Sequence, residues 1–133
     1  MWIKVLAIVG AFFALIGGVL MAVNQSTDLA EWGVAHLYDE KAESGPDWLM
    51  RIGAYCVFVT NEDEAIKVFQ VMLTKHSTHP RAGEAQYMVG VCYRTKNESK
   101  VARAEFQKVI DQYPESPFVE KARERIKKID ITL

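Results

Sequence analysis

The sequence has few of the residues, and none of the motifs, on which catalysis or cofactor binding usually depends. It contains two cysteines and three histidines, and it has no serine nucleophile elbow, phosphate-binding loop or glycine-rich dinucleotide turn. Its 16 basic and 17 acidic residues give a formal net charge of −1, which is not the basic footprint of a nucleic-acid-binding protein. These absences predict a non-catalytic protein with no cofactor, no nucleic-acid partner and no small-molecule substrate.

The cysteines and histidines are not spaced as metal ligands. Cys56 and Cys92 belong to no C-x-x-C pair, and each lies in an apolar stretch. We interpret them as buried free thiols, and a disulfide formed in an oxidising compartment is the alternative. His76 and His79 lie in a polar loop without a nearby cysteine or acidic ligand, and His36 is distant, so we predict surface histidines and no metal site.

A long apolar run opens the chain. It extends from Val5 to Val23 without a charged residue, and its length of roughly 28 Å would cross the hydrocarbon core of a bilayer. A cleaved secretory signal is the alternative, but the run is longer than the apolar core of such signals and no A-x-A cleavage pattern follows. We therefore predict a transmembrane anchor over residues 1–25 and a separate domain over residues 26–133.

Charges beside the apolar run predict its orientation in the bilayer. Lys4 precedes the run, whereas the first charges after it are Asp28 and Glu31. The positive-inside rule therefore places the N-terminus in the cytoplasm. The chain would be a single-pass protein of the inner membrane, with its second domain in the periplasm.

Small residues recur at every fourth position of the predicted span. On a helix they form a smooth stripe that lets another membrane helix approach closely, although membrane helices are also generally rich in glycine and alanine. The stripe consists of Gly10, Ala14, Gly18 and Ala22. We predict that it contacts other membrane protein subunits within the lipid bilayer.

A repeat of 37 residues dominates the rest of the chain. The matching pairs are Gly53 and Gly90, Ala65 and Ala102, Phe69 and Phe106, and Pro80 and Pro117. Apolar residues at helical spacing on both sides of a polar turn predict two antiparallel helices in each copy. The glycines are expected to let these helices approach closely, and the phenylalanines to fill the groove between successive repeats.

The second copy resembles a tetratricopeptide repeat. Its motifs at the spacing of that family are Val89-Gly90-x-x-Tyr93, Ala102-x-x-x-Phe106 and Pro114. Its ending, Tyr-Pro-x-Ser-Pro, is similar to that of repeats in bacterial outer-membrane assembly lipoproteins and Tol-Pal-associated proteins. The first copy departs from the pattern, because Cys56 takes the place of Tyr93 and Ser77 that of Pro114.

These patterns together predict an all-α protein, in which one N-terminal transmembrane helix precedes a short tetratricopeptide-like solenoid of about two and a half repeats. The predicted segments of the solenoid are an orphan second helix over residues 28–43, repeats over 46–80 and 83–117, and an amphipathic capping helix over 117–129. We interpret the charged back of the cap as solvated, and contact with anionic lipid or an acidic partner is the alternative.

The resemblance implies a protein-binding groove that is lined by the first helix of each repeat. By register, the groove residues are Met50, Ala54 and Val57 in the first copy and Tyr87, Val91 and Arg94 in the second. This mostly apolar set suits a helix or loop of another protein, although some of the residues could instead pack internally.

The sequence thus predicts an accessory scaffold subunit of a bacterial membrane protein complex. Its repeats would brace an extracytoplasmic domain of that complex, while its membrane helix packs laterally. The alternative is a free-standing envelope assembly or quality-control factor that binds client proteins transiently.

Overall fold

The described part of the chain is built from helices. A computed structural model describes residues 17–18, 21–22, 24–32, 34–35 and 45–132, and these contain no strand. The complete helices, each of 14 residues, are α1 Gly45–Phe58, α2 Glu62–Lys75, α3 Ala82–Thr95, α4 Ser99–Gln112 and α5 Val119–Thr132. The described residues between 17 and 35 are also helical, and we call them the leading segment.

Among the residues that the structure describes, no helix combines the length and the apolar content that crossing a bilayer requires. This finding contradicts the predicted transmembrane helix and, with it, the predicted single-pass location in the inner membrane with a periplasmic domain. A 14-residue helix rises only about 21 Å, which is less than the roughly 30 Å of the hydrocarbon core. Most of the predicted span over residues 1–25 lies outside the described residues.

The helices recur with the period of the sequence repeat. α1, α3 and α5 begin 37 residues apart, and α2 and α4 do the same. Each helix packs against the next one in the chain. α1 and α2 therefore form one complete repeat, α3 and α4 form the second, and α5 covers the C-terminal end of the stack.

The turn inside each repeat has the same backbone geometry. The N–H of Asn61 donates to the carbonyl of Cys56 at 2.8 Å, and the equivalent bond recurs 37 residues later at 2.9 Å. The residue that enters each turn has a positive φ, 59° at Thr60 and 63° at Asn97. The chain thus leaves the first helix of each repeat through a left-handed residue, which closes the helix end with a hydrogen bond to an otherwise unpaired carbonyl.

A glycine in each first helix lies against a phenylalanine of the second helix. A Cβ atom added to Gly53 would lie 2.5 Å from the ring of Phe69, and one added to Gly90 would lie 2.7 Å from the ring of Phe106. Both rings are fully buried. The predicted close approach at the glycines is confirmed, and each phenylalanine packs on the glycine of its own repeat as well as on the core beyond it.

Polar contacts attach the leading segment to the first repeat. The side-chain amide of Asn61 donates to the hydroxyl of Ser26 at 2.8 Å and to that of Thr27 at 3.2 Å. The thiol of Cys56 donates to the carbonyl of Ser26 at 3.6 Å. The orphan helix was predicted to start at residue 28, but residues 24–27 are already helical. Residues 36–43 of that prediction lie outside the described part.

We expect Thr60→Asn to raise the free energy of unfolding by about 1 kcal/mol, because a β-branched residue is strained at positive φ and asparagine tolerates it. Urea denaturation measures the change. The matched control is Asn97→Thr at the equivalent turn, which is expected to destabilise by a similar amount. If both substitutions shift stability in the same direction, backbone strain is not the cause.

We expect Gly90→Ala to lower the free energy of unfolding by about 1–2 kcal/mol, although alanine normally favours a helix by about 1 kcal/mol. The added methyl group would collide with the buried ring of Phe106. Thermal and urea denaturation of a double-mutant cycle with Phe106→Leu isolates this contact. In the leucine background, which leaves room for the methyl, Gly90→Ala should be neutral or stabilising; an equal loss in both backgrounds would contradict the explanation.

Candidate functional site

The candidate groove lies on the first helices of the two repeats, α1 and α3. Spacings of four and three residues bring the side chains of each predicted set to one face of its helix. The two sets are Met50, Ala54 and Val57, and, 37 residues later, Tyr87, Val91 and Arg94. Because the repeats stack, the two faces occupy equivalent positions.

Two of the six predicted groove residues are buried inside the stack. Met50 belongs to the first core cluster, and Tyr87 to the second. The ring of Tyr87 lies between Phe106 and Phe118, with centroid distances of 5.3 and 5.2 Å. Its hydroxyl accepts a hydrogen bond from Nε of Arg125 at 3.2 Å. These two side chains therefore join neighbouring helices to one another.

The other four predicted groove residues reach the surface. Ala54 and Arg94 are exposed, and Val57 and Val91 are half-buried at the edges of the two core clusters. The face that they form offers apolar contact and one guanidinium group. It can accept an apolar segment that also presents a carboxylate or a carbonyl.

α1 carries a second exposed surface that the sequence reasoning missed. Trp48 is 49% exposed and Phe58 84% exposed, and between them Arg51 is exposed and Tyr55 half-buried. Positions 48, 51, 55 and 58 follow one side of the helix. Tryptophan, tyrosine and arginine are the residues that most often dominate binding at protein interfaces. Their spacing of three, four and three residues was a signal that the sequence already contained.

A pocket opens where this second surface meets the leading segment. Its volume is about 220 Å³, and its described lining residues are Leu29, Trp32, Trp48, Arg51 and Ile52. Leu29 and Trp32 are 37% and 49% exposed. The guanidinium carbon of Arg51 lies 5.2 Å from the centroid of the Trp48 ring, so an otherwise apolar pocket has one cation at its rim.

Paired charges adjoin this pocket. Arg81 forms salt bridges with Asp47 at 2.9 Å and with Glu84 at 2.7 Å. The hydrogen bond from Arg81 lowers the pKa of Asp47, and the hydrogen bond to Glu84 is the main cause that raises the pKa of Arg81. Arg81 is therefore already neutralised, whereas Arg51 forms no salt bridge with any described residue.

The two cysteines are free and buried, which confirms the interpretation of the sequence. Loss of hydration on burial is the main cause that raises the pKa of Cys56 to about 11 and that of Cys92 to about 12. A thiol with such a pKa carries almost no thiolate near neutral pH, and thiolate is the reactive form. Neither cysteine is therefore a candidate nucleophile.

The histidine prediction is wrong for His76, which is buried. It occupies the position 37 residues before Tyr113, at the end of α2, where the chain turns towards the next helix. His79 is half-buried, and its Nδ1 accepts a hydrogen bond from the N–H of Arg81 at 3.2 Å. In the described ranges no three metal-binding side chains are grouped around a common point.

The predicted membrane contact is described only in part. Gly10 and Ala14 lie outside the described residues. At Gly18 an added Cβ would meet no atom within 4 Å, and Ala22 is half-buried. The contact of this stripe with other subunits therefore stays a prediction, since two of its four residues are outside the described part of the chain.

Residues 84–116 match the sequence profile of the tetratricopeptide repeat. The match covers most of α3, the whole of α4 and the turn after it, and it supports a tetratricopeptide-repeat family, whose members are typically non-catalytic scaffolds for protein interaction. It does not support the finer similarity to outer-membrane lipoproteins and Tol-Pal-associated proteins. No curated protein matches the sequence.

We expect the stability of the fold to decrease as the pH rises from 9.0 towards about 11, because the buried thiols stay protonated while those of the unfolded chain ionise. Urea denaturation across this range measures the effect. Replacing both Cys56 and Cys92 by alanine should flatten the pH dependence. In the native protein both thiols should also resist Ellman's reagent at pH 8, and rapid labelling there would show that they are not buried.

Proposed function

We propose that this chain is a non-catalytic scaffold that binds a protein partner on the exposed face of α1 and α3. The observation that carries the proposal is the surface position of Val57 and Val91 on neighbouring first helices, with Ala54 and Arg94 exposed beside them. The tetratricopeptide match supports an interaction role in general. The specific face is our proposal.

The rigidity of the stack supports this proposal. Met50 and Tyr87 belong to the buried core, so that the exposed residues of the same helix faces are held in fixed positions. A pre-ordered surface loses little conformational entropy when it binds. A partner helix or loop with an apolar side and one acidic group would match Val57, Val91 and Arg94.

The small size of the stack favours an accessory subunit over a free-standing protein. Solenoids usually need about three repeats for stability, and here two complete repeats are present with the leading segment and α5. A partner that binds only the folded state would stabilise it by mass action. We therefore propose a permanent place in a larger protein assembly; the transmembrane anchor is not part of this proposal.

We expect the full chain to comigrate with a defined set of proteins in native electrophoresis of its own cells, as identified by mass spectrometry. Combining Ala54→Glu with Arg94→Glu should reduce recovery of these proteins at least tenfold. The face then loses its guanidinium group and gains two carboxylates, which repel the acidic group of the partner. The matched control is Val101→Glu, an exposed position on α4, which should leave recovery unchanged. Circular dichroism verifies that all variants fold.

A low-mass band with many weakly associated proteins would instead support a transient client-binding factor. Equal recovery with the double variant and with the unmodified chain would rule out the proposed face.

A further inference from the structure

The proposed binding face continues onto α5. This helix begins 37 residues after α3, and the residues that follow Val91 and Arg94 at that distance are Lys128 and Ile131. Both are exposed, Ile131 to 76%. Because stacked repeats present equivalent residues on the same side, three first helices contribute to one surface. We call this surface the extended face, and its residues are Ala54, Val57, Val91, Arg94, Lys128 and Ile131.

A fixed guanidinium group lies beside the extended face, where α3 meets α5. Nε of Arg125 donates to the hydroxyl of Tyr87 at 3.2 Å, and the Tyr87 ring packs between Phe106 and Phe118. Arg125 is exposed, and no carboxylate of the described residues forms a salt bridge with it. The terminal nitrogens of a guanidinium carry further N–H donors. These donors are therefore held in place and available to a carboxylate of another molecule.

The two cations of the extended face are also unpaired. Arg94 and Lys128 are exposed, and neither forms a salt bridge within the described part of the chain. By contrast, Arg81, Arg103 and Arg123 each contact a carboxylate at 2.6–2.9 Å. Cations without partners on one surface create a positive potential there, which attracts carboxylates.

The charge of this surface changes from α1 to α5. Residues 47, 84 and 121, which are spaced by the repeat, are Asp47, Glu84 and Lys121. Arg81 pairs with the first two, so that two carboxylates and one guanidinium leave a net charge of −1 at that end. At the other end the three unpaired cations described above lie near one exposed carboxylate, Glu124, which gives a net charge of +2. The surface therefore has an acidic end and a basic end.

We propose that the extended face binds a protein segment with two unlike parts. Its acidic part, which carries several aspartates or glutamates, contacts Arg94, Arg125 and Lys128, and its apolar part covers Ala54 and Val57. The inference rests on the proposed scaffold function, and it adds the chemistry and the placement of the partner. The reverse placement would bring the acidic part beside the carboxylates at the α1 end, where repulsion opposes binding.

The apolar residues of the extended face favour a polypeptide as the partner. Val91 and Ile131 lie between and beside the cations, and Val57 lies at the end without a free cation. A polyphosphate would use the cations alone, whereas one polypeptide chain supplies both carboxylates and apolar side chains along its length.

A labelled block peptide tests the chemistry without the natural partner. It has about twelve residues, roughly 40 Å when extended, with leucine and alanine in one half and several glutamates in the other. Fluorescence anisotropy with the full chain should show saturable binding with a Kd of about 100 µM or tighter. The counterpart with glutamines in place of the glutamates should bind at least tenfold more weakly, because the cations lose their partners.

Two neighbouring lysines of α5 provide a matched pair of variants. Lys128→Glu should weaken binding of the block peptide at least tenfold. Lys127→Glu makes the same change of charge at an exposed and unpaired residue. It lies on another side of the helix, so that binding should change by no more than about twofold at physiological salt. Circular dichroism verifies that both variants fold.

Cross-linking tests the placement of the peptide. A photoreactive group at its glutamate end should label α5, and the same group at its apolar end should label α1, as mass spectrometry of the digested chain would show. Four results would overturn the inference: labelling with the ends exchanged, equal affinity of the glutamate and glutamine peptides, equal losses with Lys127→Glu and Lys128→Glu, or tighter binding to vesicles of anionic phospholipid that Lys128→Glu abolishes.

Recovery of natural partners separates this inference from the proposed function. If Ala54→Glu with Arg94→Glu lowers recovery and Lys128→Glu does not, the binding face is correct and its acidic-partner chemistry at α5 is wrong. If none of these variants lowers recovery, the proposed function is itself wrong. Losses with the double variant and with Lys128→Glu, but not with Lys127→Glu, are the result that we expect.

Discussion

The close approach of a glycine to a phenylalanine ring is the contact on which this helix stack depends. At Gly53 and Gly90 the backbone of a first helix lies so near the ring of the second that no side chain fits between them. That distance fixes the separation of the two helices in each repeat. It also allows both phenylalanines to be fully buried, although each repeat has only two helices of 14 residues. Close packing of this kind allows little adjustment, since protein cores contain few voids.

A stack built on a repeated contact has two ends, and these ends differ in chemistry. At the C-terminal end α5 buries Val119, Ala122 and Ile129, and an ion pair between Arg103 and Asp130 at 2.6 Å joins it to α4. Its outer side is mostly charged, as a capping helix requires. At the N-terminal end the surface is aromatic and apolar, apart from Arg51. The two ends of the described stack therefore differ in the polarity of their exposed side chains.

The sequence predicted the helices and contacts that recur with the 37-residue period. It did not predict burial that depends on residues distant in sequence. The offset of 37 residues gave the order of the helices, and the glycines and phenylalanines gave their contact, because both follow from local spacing. Whether Tyr87 lies in a groove or in the core depends on Phe118 of α5, which packs on its ring. The transmembrane helix was predicted from the length of one apolar run, and no described helix has both that length and that composition.

Comparison of α1 with α3 separates the residues that build the fold from those available for binding. Gly53 and Gly90 are identical because each repeat needs the same contact. Pairs that differ in size or polarity include Trp48 with Ala85, Arg51 with Met88 and Phe58 with Thr95. Ala85 is fully buried in the first core cluster, so that a tryptophan would not fit there, whereas about half of Trp48 is exposed. Since burying large apolar side chains is a main source of free energy in folding, the buried half of Trp48 contributes to stability, and its exposed half remains accessible for contact.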